Sequence, residues 1–261
     1  MMKYFLMAIS ILLFTYGCDI ISPDDKNVDH EFKLKKETWH SWDSSEELEV
    51  IEYEYYGDGL LKHISRTYDV ISWEQDFFYN KNKDIEKEII HEGSHSIDTV
   101  DYKYNNKYLL ILKETVHTTS SFSYRDTIEY KYNDSNLLIE TIDKRENQNT
   151  IFKSTYEYDG DLLIRKSELT NNMLMRTFEY EYDNKIKIKE TSFMNGNIEY
   201  TYIFKYKKKL LVKIEGYFSN LQTLDSEEEF IYNKKDQLVI KKVKVPSVSS
   251  YVNHVIYYEY F

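Results

Sequence analysis

The sequence contains very few of the residues that interrupt or cross-link a chain. Among 261 residues there are two prolines, seven glycines and one cysteine. This scarcity excludes a collagen-like or low-complexity chain, and a single cysteine excludes a fold held by internal disulfides. Positive charge is also short, because 34 Lys and Arg stand against 45 Asp and Glu, a formal charge of −11. A dedicated nucleic-acid-binding protein would normally present a net-basic face to phosphates, so we expect no nucleic-acid partner.

Long apolar runs are also missing, with one exception at the start of the chain. Residues 1–17, MMKYFLMAISILLFTYG, contain one lysine followed by an apolar run from Tyr4 to Phe14. A spanning helix needs about 20 apolar residues, so this run is too short to cross a membrane. Its order of charge, apolar run and small residues is that of a secretory signal peptide. We therefore predict that residues 1–17 are removed.

The only cysteine, Cys18, directly follows this segment. Residues 14–18, Phe-Thr-Tyr-Gly-Cys, resemble the lipobox of bacterial lipoproteins, although Thr15 stands where leucine is commonest. The resemblance implies that Cys18 becomes the new amino terminus and carries acyl chains such as palmitate. Several acyl chains anchor a protein at about 0.8 kcal/mol per buried methylene. The alternative is an ordinary secretory signal followed by an incidental cysteine.

Residues 18–36 are polar and predict a flexible tether between the lipid and one folded domain, residues 37–261. Asp24 and Asp25 resemble the acidic signals of surface-displayed lipoproteins. Asp19, next to the cysteine, resembles instead a signal for retention in the inner membrane. Because the two signals conflict, we predict a cell-envelope protein that is lipid-anchored to the outer membrane and leave the leaflet open.

Tyrosine is what the chain has in excess, with 26 residues. Many belong to a repeat made of aromatic-x-Tyr, then turn-forming polar residues, then a Leu/Ile-rich segment. The unit occurs eight times, and the final YEYF is a ninth half-copy. The second tyrosines recur every 24 to 28 residues, at Tyr55, Tyr79, Tyr104, Tyr132, Tyr158, Tyr182, Tyr206, Tyr232 and Tyr260.

Each repeat predicts a β-hairpin. In residues 51–55, Ile-Glu-Tyr-Glu-Tyr, large and charged side chains alternate with the period of a strand. The polar residues that follow tolerate the backbone of tight turns. We therefore predict an all-β fold, an antiparallel up-and-down meander of 16–18 strands built from hairpins of about 25 residues.

This repeat resembles the tyrosine-aspartate repeats of Rhs and teneurin proteins, in which hairpins build a spiralling β-shell. The best matches are YDGDL at residues 158–162 and YYGDGL at residues 55–60. The repeat is also similar to that of bacterial lipoproteins of unknown function with degenerate repeats. The resemblance covers about residues 50–261 and implies a barrel-like or spiralling shell without catalytic residues.

The meander leaves open whether the sheet forms a barrel, a spiral or a membrane pore. Contact with lipid requires an outward apolar band about 25 Å tall. In residues 137–146, LLIETIDKRE, both faces become charged within a few residues, so we favour a water-exposed shell and keep the pore as an alternative. Residues 19–61 hold 13 acids and 4 bases, whereas residues 185–244 hold 13 bases and 8 acids. We interpret this division as charged outer faces that keep a strand-rich surface from aggregating. A second interpretation is that the acidic first strands approach the basic last strands and help close the sheet.

One segment, His91-Glu92-Gly93-Ser94-His95, matches the HExxH signature of zinc proteases. That chemistry needs a helix, which brings both histidines to one metal. Gly93 and Ser94 are poor helix formers, and on a strand the two histidines would lie about 13 Å apart. We find no nucleophile elbow, phosphate loop or dinucleotide fingerprint either. We therefore predict no enzymatic activity, metal or cofactor, with a zinc hydrolase using His91 and His95 as the alternative.

The sequence favours binding over catalysis. Trp39, Trp42 and Trp73, together with exposed tyrosines, are suited to stack on sugars, although core packing is the commoner role of such residues. Lysines between Lys205 and Lys213 are suited to contact an anionic polymer. The prediction is a lipid-anchored cell-envelope protein that acts as a binding or structural surface, with glycans or other envelope proteins as partners.

Overall fold

The computed structural model describes residues 33–41, 47–68, 71–93, 96–148, 150–219, 223–245 and 254–260. Together these residues form 18 antiparallel strands in one sheet. In chain order the strands are β1 Leu34–Ser41, β2 Glu47–Tyr55, β3 Leu61–Tyr68, β4 Ile71–Tyr79, β5 Ile85–Glu92, β6 Ser96–Tyr104, β7 Leu110–Thr119, β8 Ser123–Tyr132, β9 Leu138–Arg145, β10 Thr150–Asp159, β11 Leu162–Thr170, β12 Met173–Asp183, β13 Ile186–Met194, β14 Asn197–Lys207, β15 Leu210–Phe218, β16 Thr223–Tyr232, β17 Leu238–Lys244 and β18 His254–Tyr260.

The sheet closes on itself. Each strand pairs with its neighbours in sequence, and β1 pairs with both β2 and β18. The predicted all-β meander is confirmed. Between the barrel and the spiral that the sequence left undecided, the sheet forms a closed barrel. No helix able to span a membrane occurs within the described ranges.

Strand β1 is the element that closes the barrel. It begins at Leu34, three residues before the predicted start of the domain, and the compact unit runs from Leu34 to Tyr260. Glu37 pairs with Ile51 on one side and with Tyr258 on the other. The first and last strands therefore meet, which agrees with the second interpretation of the division of charge. The signal peptide, Cys18 and most of the tether lie outside the described residues and stay predictions.

The second tyrosine of each repeat marks a bulge. In all eight hairpins the register between paired strands shifts immediately before this tyrosine, for example between Lys131 and Tyr132. Several of the turns that follow are organised by asparagine. The Asn105 Oδ1 atom accepts hydrogen bonds from the backbone N–H groups of Lys107 (2.8 Å) and Leu109 (3.0 Å). Because a bulge and a tight turn are both local features, the repeat motif fixes the end of every hairpin.

The repeat tyrosines also join each hairpin to the preceding strand. In seven of the nine positions the phenol hydroxyl donates a hydrogen bond of 2.7–2.9 Å to a backbone carbonyl on the preceding strand of the chain. One of these bonds, from Tyr55 to Leu34, crosses the junction between β1 and β2. The tyrosines thus connect successive repeats around the barrel.

Replacing Tyr132 with phenylalanine should lower the free energy of unfolding by about 1 kcal/mol. The ring stays in place, but the Leu110 carbonyl loses the hydroxyl that donates to it at 2.9 Å. The matched control is Tyr108→Phe, in a turn where the side chain is 60% exposed. Urea denaturation of both variants measures the difference. Equal midpoints would show that the hydroxyl bond does not stabilise the barrel.

The tyrosine face lines the inside of the barrel. Burial is the largest cause of the raised pKa of Tyr104, Tyr130 and Tyr202, each shifted to about 12. On the opposite face hydrogen bonds to lysine dominate instead, and they lower the pKa of Glu140 and of Glu215. Side chains on a concave wall converge and lose water, whereas those on a convex wall point apart into solvent. Exposure agrees, because Tyr53, Phe77 and Phe204 on the tyrosine face are 7–9% exposed, whereas Phe78 and Ile231 on the other face are 42% and 37% exposed. The tyrosines therefore lie on the inner wall.

Two layers of aromatic rings line this inner wall near the repeat turns. The first layer consists of the repeat tyrosines listed above. The second layer consists of the aromatic residue two positions before each of these tyrosines. Both layers point to the same face, because the side chains of a strand alternate between its faces with a period of two. The most buried hydrophobic cluster lies where the barrel closes, around Ile51, Tyr53, Ile64 and Phe77. The second layer consists of Tyr53, Phe77, Tyr102, Tyr130, Tyr156, Tyr180, Phe204, Phe230 and Tyr258.

Ion pairs between neighbouring strands cover the outer wall. Glu215 lies 2.6 Å from Lys205 and 3.2 Å from Lys213, and Lys213 also lies 2.8 Å from Glu227. This chain of charges links β14, β15 and β16. Glu140 links β8 to β10 in the same way through Lys131 and Lys153. The middle of the outer wall is therefore charged on several consecutive strands.

Acid should remove the contribution of Glu215 to the free energy of unfolding. Its folded pKa of about 2 lies below the ordinary value of 4.5, because Lys205 hydrogen-bonds the ionised carboxylate. The ion pairs therefore stabilise the barrel fully above about pH 4.5, and this stability is lost as the pH falls towards 2. We expect Glu215→Gln to cost about 1–2 kcal/mol at pH 7, since solvent on the outer wall screens part of the effect.

The free energies of unfolding of Glu215→Gln and the unmodified protein should converge as the pH approaches 2. The matched control is Glu54→Gln, because Glu54 and its partner Lys62 are both about half exposed and their pair contributes little. Denaturant unfolding at several pH values measures both. A constant difference between pH 7 and pH 2 would contradict the assignment.

Candidate functional site: the inner wall where the barrel closes

Four large side chains form a row across β1–β4 on the inner wall. Trp39 pairs in register with Glu49, and Arg66 pairs in register with Trp73. Between these pairs, the Arg66 guanidinium bonds the Glu49 carboxylate through Nε and through Nη2, the latter at 3.1 Å. Two indoles thus flank one ion pair. We call Trp39, Glu49, Arg66 and Trp73 the tryptophan row.

The ion pair in the middle of the row is partly desolvated. Glu49 is only 6% exposed, and burial lowers the pKa of the Arg66 guanidinium. A buried carboxylate keeps its charge only when it is paired and hydrogen-bonded, and a bidentate arginine provides both. The row therefore presents a fixed, oriented charge pair rather than two mobile side chains.

Neighbouring groups hold the row in place. The Tyr53 hydroxyl donates a 2.6 Å hydrogen bond to Glu37 Oε1, and burial raises the pKa of both groups. Trp39 stacks on the His254 ring of β18 with centroids 4.7 Å apart. One end of the row is consequently packed against the last strand, so the row depends on closure of the barrel.

Further polar groups continue along the inner wall from β4 to β6. Glu88 is 7% exposed and accepts two hydrogen bonds of 2.8 Å, one from Gln75 Nε2 and one from the Tyr102 hydroxyl. Burial, followed by the charge of Glu88, raises the pKa of Tyr102. These groups satisfy one another and extend the polar surface beside Trp73.

A histidine lies between two carboxylates on the next strands. Asp98 Oδ2 is 2.9 Å from His117 Nδ1, Asp126 Oδ2 is 3.4 Å from Nε2, and Tyr124 stacks on the imidazole at 4.5 Å. The carboxylates occupy opposite nitrogens, so the three groups do not converge on one point. Throughout the described part of the chain, no set of three or more His, Cys, Asp or Glu side chains is arranged to hold a metal ion.

The described part of the HExxH segment, residues 91–93, forms a strand end and not a helix. His91 and Glu92 are the last residues of β5, and Gly93 follows in a turn with φ of 59°. Adjacent strand residues point to opposite faces, so Glu92 cannot act as the general base at a metal bound by His91, as it does on a helix. His95 lies outside the described residues, as do Cys18 and Trp42.

Two further outcomes concern residues singled out in the sequence. Seven of the nine repeat tyrosines donate their hydroxyl to a backbone carbonyl, as described above, which agrees with the structural role predicted for them. Lys205 and Lys213 form ion pairs with Glu215. Of the lysines that the sequence suggested for contact with an anionic polymer, only those between Lys205 and Lys213 remain, at the adjacent turn.

Sequence reasoning did not predict the pairing of Glu49 with Arg66. The alternation of side chains along β2 and β3 was the signal that could have found the pair. It places Glu49 and Arg66 on the same face as large apolar neighbours, where a charged residue needs a partner.

Two shallow clefts lie on other strands. They measure about 440 and 380 Å³, involve residues of β9–β13, and share Met175 and Arg176. Arg176 Nε is 2.8 Å from Glu199, so its charge is already paired. Neither cleft combines two indoles with a buried ion pair, and the tryptophan row remains the more specific arrangement.

No protein-family model matches this chain, and neither does any curated protein sequence. Among solved structures, the chain is similar to a porin-like protein from Bacteroides uniformis, with a TM-score of 0.48 and 10% identity over 88% of this chain and 98% of that chain. A porin-like protein from Bacteroides vulgatus gives a TM-score of 0.41 and 14% identity over 78% of this chain and 99% of that one. The crystal structure of TcdB2-TccC3-TEV gives 0.29 and 8% identity over 85% of this chain but only 16% of that chain.

Proposed function

We propose that this protein is a lipid-anchored cell-envelope barrel that binds a glycan through the tryptophan row. The observation that carries the proposal is the row itself, in which Trp39 and Trp73 flank the buried Glu49–Arg66 pair on the inner wall. The protein is proposed to be a binding protein and not an enzyme.

The chemistry of the row suits a sugar better than a purely apolar ligand. An indole face packs against the C–H face of a sugar ring, while fixed polar groups bond its hydroxyls. The row crosses four strands, and neighbouring strands are about 4.8 Å apart, so its ends are separated by about 14 Å. This length fits a short oligosaccharide rather than a single ring.

The test compares two aromatic substitutions on opposite faces of one strand. Trp73→Ala removes an indole of the row, whereas Phe78→Ala removes a 42% exposed ring from the outer wall of β4. A glycan array identifies a ligand, and calorimetry with that ligand measures affinity. We expect Trp73→Ala to weaken binding at least about tenfold, the equivalent of one lost aromatic contact, and Phe78→Ala to leave it unchanged. An array without ligands, or equal affinities, would refute the proposal.

The anchored part of the proposal rests on Cys18 following the lipobox-like segment. Mass spectrometry of the amino-terminal peptide should show a chain that begins at Cys18 and carries acyl groups. An unmodified Cys18 thiol, or a chain beginning elsewhere, would contradict the lipid anchor without affecting the tryptophan row.

An outer-membrane pore is the second candidate, because 18 strands close into a barrel. Against it stands the outer wall, where charges such as Glu140 and Glu215 would have to face lipid. The discriminating experiment inserts a specific protease site after Asp25 and cleaves the protein in membranes. A water-exposed barrel should appear in the supernatant without detergent, whereas a pore should stay in the membrane and conduct ions in planar bilayers.

A further inference from the structure

One rim of the barrel holds the eight repeat turns and both ends of the described chain. The eight repeat turns all lie at this end of the strands, and β1 begins there, because Leu34 pairs with Tyr260 at the end of β18. Leu34 is sixteen residues after Cys18. A lipid on Cys18 would therefore be connected to the barrel at this rim.

Among the repeat turns of this rim, positive charge is concentrated in two adjacent ones, β14–β15 and β16–β17. They contain Lys208, Lys209, Lys234 and Lys235 with one aspartate, Asp236. The other six repeat turns hold four lysines and four aspartates between their strands. Lys207, at the end of β14, adds a fifth exposed lysine. We call Lys207, Lys208, Lys209, Lys234 and Lys235 the basic turn pair.

Three of the four lysines in the other repeat turns have partners, whereas these five are exposed. Lys83 lies 3.4 Å from Asp58 and Lys185 lies 3.3 Å from Asp161, each bridging to a neighbouring turn. Lys107 donates a 3.1 Å hydrogen bond to Asn136. Within the described ranges, no carboxylate lies at ion-pairing distance from any member of the basic turn pair. Their charge is therefore available to a ligand.

The backbone of the β14–β15 turn is strained by its lysines. Lys208 and Lys209 have φ angles of 52° and 70°, in the left-handed region that disfavours residues with long side chains. The corresponding first positions of three other two-residue turns hold asparagine, namely Asn171, Asn184 and Asn195. Asparagine and glycine are the residues that such hairpin turns prefer.

We infer that the basic turn pair contacts the anionic headgroups of the membrane in which the protein is anchored. An anionic surface attracts lysines that lie within about one Debye length, roughly 8–10 Å. The acyl chains supply attachment, and the lysines orient the barrel with its repeat turns towards the lipid. This inference rests on the lipid anchor of the proposed function and adds a surface independent of the tryptophan row.

The test measures lysine accessibility in the mature, lipidated, full-length protein. The protein is reconstituted into phosphatidylcholine vesicles with or without phosphatidylglycerol and treated with a water-soluble acylating reagent, and modification is quantified by mass spectrometry. The reactivity of the basic turn pair should fall several-fold in anionic vesicles and recover at high salt. Lys244, exposed at the end of β17 on the opposite rim, is the internal control and should change little.

A double variant separates charge from folding. Lys208→Asn with Lys209→Gly gives the turn its preferred residues, so its thermal midpoint should equal or exceed that of the unmodified protein. The protection of Lys234 and Lys235 in anionic vesicles should nevertheless decrease. Equal lysine reactivity in both kinds of vesicle, or equal protection by soluble phosphate, would overturn the inference.

The same vesicles distinguish this inference from the proposed anchor. A protein that does not float with pure phosphatidylcholine vesicles lacks the anchor, which contradicts the proposed function. Flotation with phosphatidylglycerol vesicles that is lost in salt and in the double variant would still support the basic turn pair.

Discussion

Replacing Thr38 with proline should open the barrel and cost about 3 kcal/mol or more of unfolding free energy. Thr38 is 7% exposed and pairs with Tyr257 on one side and Val50 on the other. Proline has no N–H to donate, and its ring does not fit a strand paired on both sides. Losing β1 would leave β2 and β18 as free edges, which promote aggregation.

The matched control for this variant is Gly57→Pro in the β2–β3 turn. Gly57 lies at the second position of a turn closed by the Gly59 N–H and the Tyr56 carbonyl at 2.9 Å, where proline is favoured. A Cβ atom at Gly57 would have nothing within 4 Å. Thermal unfolding and light scattering measure both variants. Similar behaviour of the two would show that β1 is not essential for closure.

Replacing Arg66 with methionine should cost about 3–5 kcal/mol, because it leaves the Glu49 carboxylate buried and unpaired. Glu49 is 6% exposed, so water cannot replace the lost guanidinium. The methionine keeps much of the length and apolar volume of the arginine stem. Denaturant unfolding of the single variant gives the size of the penalty.

A double variant distinguishes the unpaired charge from lost packing. Arg66→Met combined with Glu49→Leu removes both charges, and a buried pair replaced by apolar residues is often neutral or stabilising. We therefore expect stability to recover while glycan binding does not, since both indoles remain but the polar pair is gone. A double variant as unstable as Arg66→Met would mean that packing, and not charge, dominates this position.

The hairpins could be predicted because each repeat carries its own local signals. Alternating side chains define the strands, and the polar residues after Tyr104 or Tyr132 define the turns. Strand β1 escaped this reasoning, since residues 34–41 contain no copy of the motif. Its partners, the strands β2 and β18, are identified by register and not by local pattern; Leu34 pairs with Tyr260 at the opposite end of the chain.

The candidate site was predictable only in its parts. Trp39 and Trp73 stand out as rare residues suited to stacking, but nothing in the sequence joins them to the Glu49–Arg66 pair. Their association requires four strands in one register. The HExxH segment shows the reverse case, because its spacing matches a motif while its strand conformation at His91 removes the geometry that the motif needs.

By itself, the sequence determined the hairpin repeat, the positions of the turns, the absence of internal disulfides and the division of charge. These properties depend on residues close together in the chain, where alternation and turn chemistry act directly. Only the tertiary structure decided that the sheet closes through β1, that the tyrosines face inward, and that Lys207–Lys209 and Lys234–Lys235 share one rim. Those outcomes depend on long-range strand register and on curvature, which place residues distant in sequence on a common wall.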